Sequence, residues 1–276
     1  MKLTVRHLTR YRFEEPVRGV AQALRLWPAN SGSQTVRDWD VKTEGALRGA
    51  RFVDGAGDRQ ELATWRGPLD MIEIEVNGTV ETTDLFGVLR DFREKVPPST
   101  YLRSSKFIAP DQGLRDLSAE ALKGMDGATD LDRAHALSAA VAEAITYTPG
   151  RTEAHTTAAD ALSGGTGVCQ DHAHALIAVS HVAEIPARYV TGYLQADGDG
   201  KTHEASHAWA ELFVPGLGWI GFDPANECCP DERYVRLGSG FDAQDASPLR
   251  GVVQGSSAEE HLEVEVFVTS EQQQQQ

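Results

Sequence analysis

Residues 164–182 read GGTGVCQDHAHALIAVSHV, and this stretch decides how the second half of the chain folds. A glycine-rich turn leads into Cys169, and glycine permits the sharp entry and close backbone approach that such a turn needs. The residues from Cys169 to about residue 184 are apolar or small on most sides of a helix, which is typical of a helix buried in a domain. Pro186 ends the helix, because the residue before a proline is pushed out of the helical region.

Three β-prone segments follow this helix, at residues 187–194, 207–214 and 219–222. Between the last two, residues 215–218 read PGLG, which is a turn sequence. In an antiparallel hairpin, the start of the first strand lies near the end of the second. The pattern therefore places His207 within about three residues of Asp223 across the hairpin.

Cys169, His207 and Asp223 supply the three groups that nucleophilic acyl transfer requires. The unpaired backbone N–H groups at a helix N-terminus favour the thiolate form of a cysteine. A histidine within reach can take the proton, and a carboxylate can hold that histidine in the useful tautomer. The backbone N–H of Cys169 is the expected donor to an oxyanion, and the sequence does not identify a second donor.

Each of the three residues also has an ordinary structural explanation. A single cysteine is usually a small core residue, and a strand histidine often satisfies a hydrogen bond in the core. Asp223 precedes Pro224, and Asp-Pro is a common turn opener. Their joint order and compact spacing favour the functional interpretation.

Three neighbouring residues are candidates for contact with the substrate or with the site residues themselves. Asp171 stands two positions after the thiol, where stabilising the helix start is the more ordinary role and a contact in the site is the alternative. Trp209 lies two residues after His207 on the same face of the strand, and Gln170 directly follows Cys169.

A metal site is not expected. His172 and His174 stand near Cys169, but residues two apart on a helix point about 200° apart, and zinc needs three or four convergent ligands. The vicinal pair Cys228-Cys229 lacks CxxC spacing and is structural or incidental. Residues 197–202 fail the EF-hand pattern, because a lysine takes the third ligand position and a threonine replaces the required glycine. The sequence therefore predicts no metal and no cofactor.

Residues 1–95 have the alternation of an antiparallel β domain. Ile72, Ile74 and Val76 alternate with glutamates, which is the period of a half-buried strand. Asn77-Gly78 follows at once and precedes another β-prone run, so this pair predicts a hairpin turn. Residues 54–58, DGAGD, predict a second turn, and residues 36–41 predict a short strand.

The rest of the chain divides into three parts. Residues 96–130 hold a connector rich in proline and serine, followed by the first helices. Residues 131–270 form the core that carries the candidate site. The core starts with a helix over residues 131–147, and residues 262–268 alternate as a strand that closes a sheet. Residues 271–276 end in a glutamine tail that is expected to be disordered.

The bulk composition limits the partners. The chain has 276 residues, of which 41% are hydrophobic, enough for one large or two modest domains. Its net charge of −15 argues against binding to nucleic acid and against docking on an anionic membrane. Residues 1–13 lack the apolar segment of a signal peptide, and no run approaches the length of a membrane helix. Three cysteines do not make a disulfide framework, so a cytoplasmic location is the default expectation.

Three segments resemble the transglutaminase-like superfamily, specifically its bacterial branch of transglutaminase-like cysteine peptidases. The matching strings are GVCQDHAHA at residues 167–175, HAWAE at residues 207–211 and WIGFDP at residues 219–224. Residues 1–95 look like the extra β domain that precedes the core in this branch. Residues 250–252 and the strand after them resemble its C-terminal end.

This resemblance implies an α+β protein, in which an N-terminal antiparallel β domain precedes a papain-like transglutaminase core with a helix-borne cysteine packed against an antiparallel sheet. It implies that Cys169 is the nucleophile of a catalytic triad, His207 the general base and Asp223 the orienting residue. Animal members use calcium, but nothing in this sequence supplies the sites, so no calcium is expected. Two residues depart from the family pattern: Ala225 replaces a threonine often found there, and Asn226 stands two residues past Pro224. Neither is expected to touch these three residues.

The expected activity is that of a cysteine protease or amidase, which hydrolyses an amide or peptide bond through a thioester acyl-enzyme. Two alternatives stay open: transfer of the acyl group to an amine, as transglutaminases do, and a non-catalytic binding module that retains the fold. The substrate is a peptide, a protein or a small amide. The sequence determines neither which of these it is nor the oligomeric state.

Overall fold

The computed structural model describes residues 1–195, 206–255 and 260–270. They form two antiparallel sheets, a short two-stranded parallel sheet and a group of helices. The predicted tail at residues 271–276 and the segment 197–202 weighed as a calcium loop lie outside the described residues. The helices are α1 (Gln112–Ala121), α2 (Asp130–Ala144), α3 (Ala158–Gly164) and α4 (Cys169–Val182), with a 3₁₀ turn at Pro98–Leu102. The strands are β1 (Lys2–Trp27), β2 (Gln34–Lys42), β3 (Leu47–Val53), β4 (Arg59–Thr82), β5 (Thr146–Tyr147), β6 (Thr166–Gly167), β7 (Ala187–Leu194), β8 (Ser206–Val214), β9 (Gly218–Phe222), β10 (Tyr234–Gly240), β11 (Leu249–Gln254) and β12 (Glu260–Ser270).

The N-terminal sheet is built around two long strands, β1 and β4, which pair antiparallel from Lys2↔Glu81 to Trp27↔Arg59. Strands β2 and β3 add to the far side of β4. Alternate residues of the long strands are buried, including Val20, Leu24 and Trp65. This period-2 burial is the one the sequence alternation predicts, and the antiparallel β domain is confirmed.

The hairpin predicted at Asn77-Gly78 is wrong. Strand β4 continues straight through the pair, with Asn77 opposite Arg6 and Gly78 opposite Val5. The indole of Trp39 on β2 occupies the space where a Cβ of Gly78 would stand. Glycine serves here for the close approach of an aromatic ring, a use that the local sequence does not distinguish from a turn. The turn predicted at residues 54–58 does connect β3 to β4.

The last two strands belong to the N-terminal sheet, although the sequence analysis placed residues up to 270 in the core. Strand β11 pairs with the second half of β1, from Gly19↔Gln254 to Leu24↔Leu249. Strand β12 pairs with its first half, from Leu3↔Ser270 to Phe13↔Glu260. The alternation of residues 262–268 does close a sheet as predicted, but the sheet is that of the N-terminal region.

The second sheet has the order β10-β7-β8-β9 and carries the helices on one face. Helix α4 lies at the centre of this layer and contacts β8, β7 and the other three helices. Every residue of α4 from Asp171 to Ser180 is buried, so the predicted buried central helix is confirmed. The fold is therefore α+β. No helix within the described residues is long and apolar enough to cross a membrane.

The helix ends follow local sequence signals. Thr129 with Asp132 and Thr157 with Asp160 form capping boxes at the starts of α2 and α3. Helix α2 ends at Ala144, earlier than the predicted residue 147. The next residues form β5, which pairs parallel with β6 directly before α4. This pairing, which no local pattern indicated, fixes the chain on the approach to Cys169.

A buried network of ion pairs around Glu211 of β8 joins the four-stranded sheet to the N-terminal sheet. Glu211 on β8 accepts from Arg236 on β10 and from Arg188 on β7, at 2.8 and 2.7 Å. Arg236 also donates to Asp58, which lies between β3 and β4, at 3.0 Å. Because buried charges are tolerated only when paired, this network ties the N-terminal sheet to the strand that carries His207.

Candidate active site

A tight turn brings Cys169 to the first position of α4. Gly165 ends α3 with a φ of 62°, in the left-handed region that favours glycine. A Cβ on Gly167 would lie 2.7 Å from the Cβ of Asp171, so glycine is required there for Asp171 to fold back over the turn. Val168 occupies the N-cap position and Cys169 opens the helix.

Asp171 holds this turn from the inside. Its buried carboxylate accepts the backbone N–H of Val168 at 2.8 Å and the hydroxyl of Thr152 at 2.6 Å. Asp171 therefore stabilises the helix start, which is the more ordinary of its two predicted roles. The first N–H groups of a helix have no intrahelical partner, so those of Cys169 and Gln170 favour an anion beside the thiol.

His207 and Asp223 meet as the hairpin argument predicts. Strands β8 and β9 pair with Ala210 opposite Phe222, a register that sets Asp223 two residues away from the position facing His207. The side chains span this offset, and Nε2 of His207 lies 2.6 Å from Oδ2 of Asp223. His207 is 8% exposed and Asp223 is fully buried, so this contact is shielded from water.

The side chains of Asn226 and Tyr234, neither of which the sequence analysis assigned to the site, hold the Asp223 carboxylate. The expectation that Ala225 and Asn226 do not touch the three site residues is wrong, because the turn after Asp223 folds both of them back onto its carboxylate. Oδ2 accepts from the side-chain amide of Asn226 at 2.7 Å and from the hydroxyl of Tyr234 at 2.8 Å. Oδ1 accepts the backbone N–H groups of Ala225 and Asn226 at 3.1 and 3.3 Å. The Asp-Pro turn signal could have indicated the backbone contacts. Nothing local marks Tyr234, which comes from β10.

The electrostatics of the pair favour an imidazolium beside a carboxylate. Burial lowers the pKa of His207, but the hydrogen bond to Asp223 and the contact with Cys169 outweigh it and raise that pKa to about 10. Burial raises the pKa of Asp223, and the hydrogen bond and charge of His207 outweigh it, so this pKa is lowered. Since Asp223 occupies Nε2, Nδ1 is the ring nitrogen left to face the Cys169 side chain, the second partner that raises the pKa of His207.

Trp209 and Gln170 lie on different sides of the candidate site. Trp209 is 3% exposed and stacks with the His207 ring at a centroid distance of 6.4 Å. It also meets the ring of Tyr234 edge-on at 5.5 Å, so it supports His207 from inside the protein. Gln170 is partly exposed, and its amide reaches the backbone oxygen of Ala154 at 3.5 Å.

The helix histidines near Cys169 are engaged with backbone groups. The ring nitrogens of His172 lie 2.9 and 2.8 Å from the backbone oxygens of Val168 and Ile145. His174 accepts the N–H of Ala243 at 3.0 Å. Among the residues that the structure describes, no three His, Cys, Asp or Glu side chains are grouped to hold a metal ion.

The vicinal cysteines lie next to Asp223 in the structure, since Cys228 pairs with Asp223 in an isolated β-bridge. Both are free thiols, and they line a cleft of about 520 Å³ between α2 and the chain that follows β9. The sulfur of Cys228 lies 3.3 Å from the hydroxyl oxygen of Tyr234. The Cys228 thiol is therefore linked to the Asp223 carboxylate through one intervening side chain, that of Tyr234.

Comparison with known proteins identifies the family. The sequence profile described as "Transglutaminase-like superfamily" matches residues 116–224, and that of the "Bacterial transglutaminase-like N-terminal region" matches residues 3–81. "Uncharacterized protein ML0607" of Mycobacterium leprae (strain TN) is 31% identical over 286 residues, covering 97% of this chain and 98% of that protein. The chain therefore belongs to the transglutaminase-like superfamily and carries the N-terminal region of its bacterial members.

Two further likenesses concern a second mycobacterial protein and a solved structure. "Uncharacterized protein Rv2569c" of Mycobacterium tuberculosis (strain ATCC 25618 / H37Rv) is 37% identical over 133 residues, covering 45% of this chain and 42% of that protein. A crystal structure from Cytophaga hutchinsonii, described as "a Putative Cysteine Protease", superposes with a TM-score of 0.71 at 22% identity, covering 98% of this chain and 91% of that one. The fold is shared along the whole chain, and membership of the superfamily supports a cysteine-based enzyme.

Proposed function

We propose that the protein is a cysteine-dependent hydrolase that cleaves an amide or peptide bond through a thioester acyl-enzyme. The observation that carries this proposal is the 2.6 Å contact between His207 and Asp223, with the Cys169 side chain as the ring's further partner. Thiol, imidazole and carboxylate then stand in the order that nucleophilic acyl transfer uses. Catalytic roles for Cys169, His207 and Asp223 are part of the proposal.

The first half of the reaction forms the acyl-enzyme. The Cys169 thiolate attacks the carbonyl carbon, and the oxyanion forms beside the backbone N–H of Cys169 at the start of α4. His207 then gives the proton on Nδ1 to the leaving nitrogen as the C–N bond breaks. Asp223 keeps the proton on Nε2 in place, which holds the ring in the tautomer that this transfer needs.

The second half releases the acyl group. Nδ1 of His207, now unprotonated, takes a proton from water, and the resulting hydroxide attacks the thioester carbon. The C–S bond breaks, and Cys169 leaves as the thiolate beside the reprotonated imidazole. A primary amine that took the place of this water would give transfer instead of hydrolysis, and exclusion of water from the site would decide between them.

The decisive experiment compares Cys169→Ala with Cys229→Ala, a matched loss of a partly buried thiol away from His207. A library of peptides and small amides is screened against wild type and both variants. We expect Cys169→Ala to abolish turnover while the circular dichroism spectrum is unchanged, and Cys229→Ala to retain it. Full hydrolysis by Cys169→Ala would end the proposal.

A labelled primary amine in the same assay separates the two fates of the acyl group. Free acid as the product supports hydrolysis, and incorporation of the label supports amine transfer. A protein that binds library members without turning any over would be a binding module.

The net charge of −15 favours neutral or basic substrates through field steering. The free thiols suit a reducing compartment, and we propose a cytoplasmic site of action.

A further inference from the structure

Three side-chain donors share one oxygen of Asp223. Nε2 of His207, the amide of Asn226 and the hydroxyl of Tyr234 lie 2.6, 2.7 and 2.8 Å from Oδ2. The mechanism above uses only the first of them. Asn226 belongs to the same turn as Asp223, but Tyr234 comes from β10, on the opposite side of the sheet order from β9. Its contact therefore needs an explanation beyond local turn geometry.

The direction of the hydrogen bonds can be assigned. The ionised Asp223 carboxylate only accepts, so Tyr234 donates its proton to Oδ2. The Tyr234 oxygen is then left to accept from the Cys228 thiol at 3.3 Å and from the Asn226 amide at 3.5 Å. Burial raises the pKa of Cys228, which keeps it a thiol and hence a donor. Cys228 therefore donates to Tyr234 and Tyr234 donates to Asp223, whose Oδ2 also accepts from Nε2 of His207.

The ring of Tyr234 also touches the imidazole directly. It meets the His207 ring edge-on at a centroid distance of 5.8 Å and packs against Trp209. Tyr234 is 5% exposed, so no water competes freely for its hydroxyl. One side chain thus contacts both members of the histidine–carboxylate pair.

We propose that Tyr234 is a positioning residue, whose hydroxyl and ring fix the Asp223 carboxylate and the His207 imidazole and limit how strongly the carboxylate acts on that imidazole. A hydrogen bond from Tyr234 draws charge on Oδ2 away from His207. This inference rests on the proposed function, because the His207–Asp223 pair that Tyr234 positions is the pair assigned to proton transfer. The other groups facing these hydrogen-bonded side chains are Cys169 from α4 and, beside Cys228, Asp231 and Arg233.

The test replaces Tyr234 by phenylalanine, which removes the hydroxyl and keeps the ring. With one donor fewer, Oδ2 carries more charge toward His207, so the pKa of His207 rises, by about half a unit. This is measured from the ¹⁵N NMR titration of the imidazole, with His207→Gln used to identify its signal. In turnover assays we expect kcat to fall about tenfold with KM unchanged within about twofold, because the ring is held less firmly for proton transfer.

Tyr193→Phe is the matched control. Tyr193 is equally buried, lies on neighbouring β7, and its hydroxyl is bonded to Nδ1 of His7 at 2.8 Å, away from Asp223. We expect this variant to leave the His207 titration and kcat unchanged. Cys228→Ala should give a smaller upward shift, since Tyr234 then donates more weakly, while Cys228→Ser, which keeps a donor, should restore wild-type behaviour.

The NMR measurement needs no substrate, so this inference and the proposed function fail separately. A shift in Tyr234→Phe without one in Tyr193→Phe supports the inference even if no library member is cleaved. An unchanged His207 titration in Tyr234→Phe, or an equal shift in Tyr193→Phe, overturns it even if Cys169→Ala is inactive. If Tyr234→Phe does not fold, Cys228→Ala decides: a shift supports the inference, and none overturns it.

Discussion

At the scale of single residues, the neighbours of His207 explain why its pKa is raised although its ring is buried. Burial alone lowers the pKa of a histidine, as it does for His7, to about 4. His207 is also buried, yet its pKa is raised to about 10. The difference lies in the neighbouring groups: Tyr193 and Thr9 bind His7 as neutral partners, whereas His207 faces the Asp223 carboxylate and the Cys169 side chain.

Asp223→Asn tests this cause. Removing the carboxylate charge lets the pKa of His207 fall back from about 10 toward its usual range, so the imidazolium is lost at a lower pH. We expect the alkaline limb of the kcat/KM profile to move to lower pH, and kcat to fall about 100-fold or more as the tautomer is no longer held. An alkaline limb at the wild-type position would contradict the assignment of His207 as the proton donor.

At the scale of secondary structure elements, the glycines around α4 have unequal roles. Gly167 stands where a Cβ would collide with Asp171, while a Cβ on Gly164, the last residue of α3, would meet nothing within 4 Å. Both belong to one glycine-rich motif in the sequence. Only the packing distinguishes the residue that shapes the turn from the one that does not.

Gly167→Ala and Gly164→Ala form a matched pair for this point. We expect Gly167→Ala to lower the free energy of unfolding by about 1–3 kcal/mol, because Asp171 must move away from the turn. Gly164→Ala should change it by no more than a gain of about 1 kcal/mol, since alanine is the better helix residue. Urea denaturation of both variants measures the difference. Equal stabilities would show that the turn adapts without cost.

The local sequence of a strand also does not determine whether the strand continues or turns. Asn77-Gly78 has the composition of a hairpin turn, yet β4 runs through it because β1 and β2 flank it and Trp39 covers Gly78. Tertiary packing overrides local turn preference here. In contrast, residues 54–58 form the predicted turn, which joins the antiparallel strands β3 and β4.

At the scale of the whole molecule, the chain closes on itself. Strand β1 pairs with β12 along its first half and with β11 along its second, so the last two described strands are bound to the first strand. The core sheet is joined to this assembly by Glu211, Arg236 and Asp58, and by His7, whose ring bonds to Tyr193 of β7. The candidate site therefore depends on both sheets.

The buried imidazole of His7 makes the contact between the two sheets less stable at low pH. Its pKa is lowered to about 4 in the folded protein, against about 6.5 when unfolded, so the unfolded state binds more protons as the pH falls below 6.5. Stability is fully present above that value and is lost as the pH falls through about 4. His174 is buried with a similarly lowered pKa of about 4 and adds to the loss.

His7→Gln isolates the first contribution. Between pH 7 and pH 5 we expect the free energy of unfolding of this variant to fall by about 2 kcal/mol less than that of wild type. His155 is an exposed residue on a loop, so the control variant His155→Gln should keep the wild-type pH dependence of stability. Urea denaturation at the two pH values measures both. Parallel losses in all three proteins would exclude His7 as a source of the acid sensitivity.

The sequence by itself determined the helix that carries Cys169, the hairpin that brings His207 toward Asp223, and the turn that precedes the thiol. These features follow from local periodicity, glycine placement and strand order, which act over a few residues. Only the tertiary structure decided that Tyr234 of β10 binds the Asp223 carboxylate, that Trp39 covers Gly78, and that strands β11 and β12 join β1. Such contacts join residues that are far apart in the chain. The alternation of hydrophobic residues predicts which face of a strand is buried, but it does not predict the partner against which that face packs.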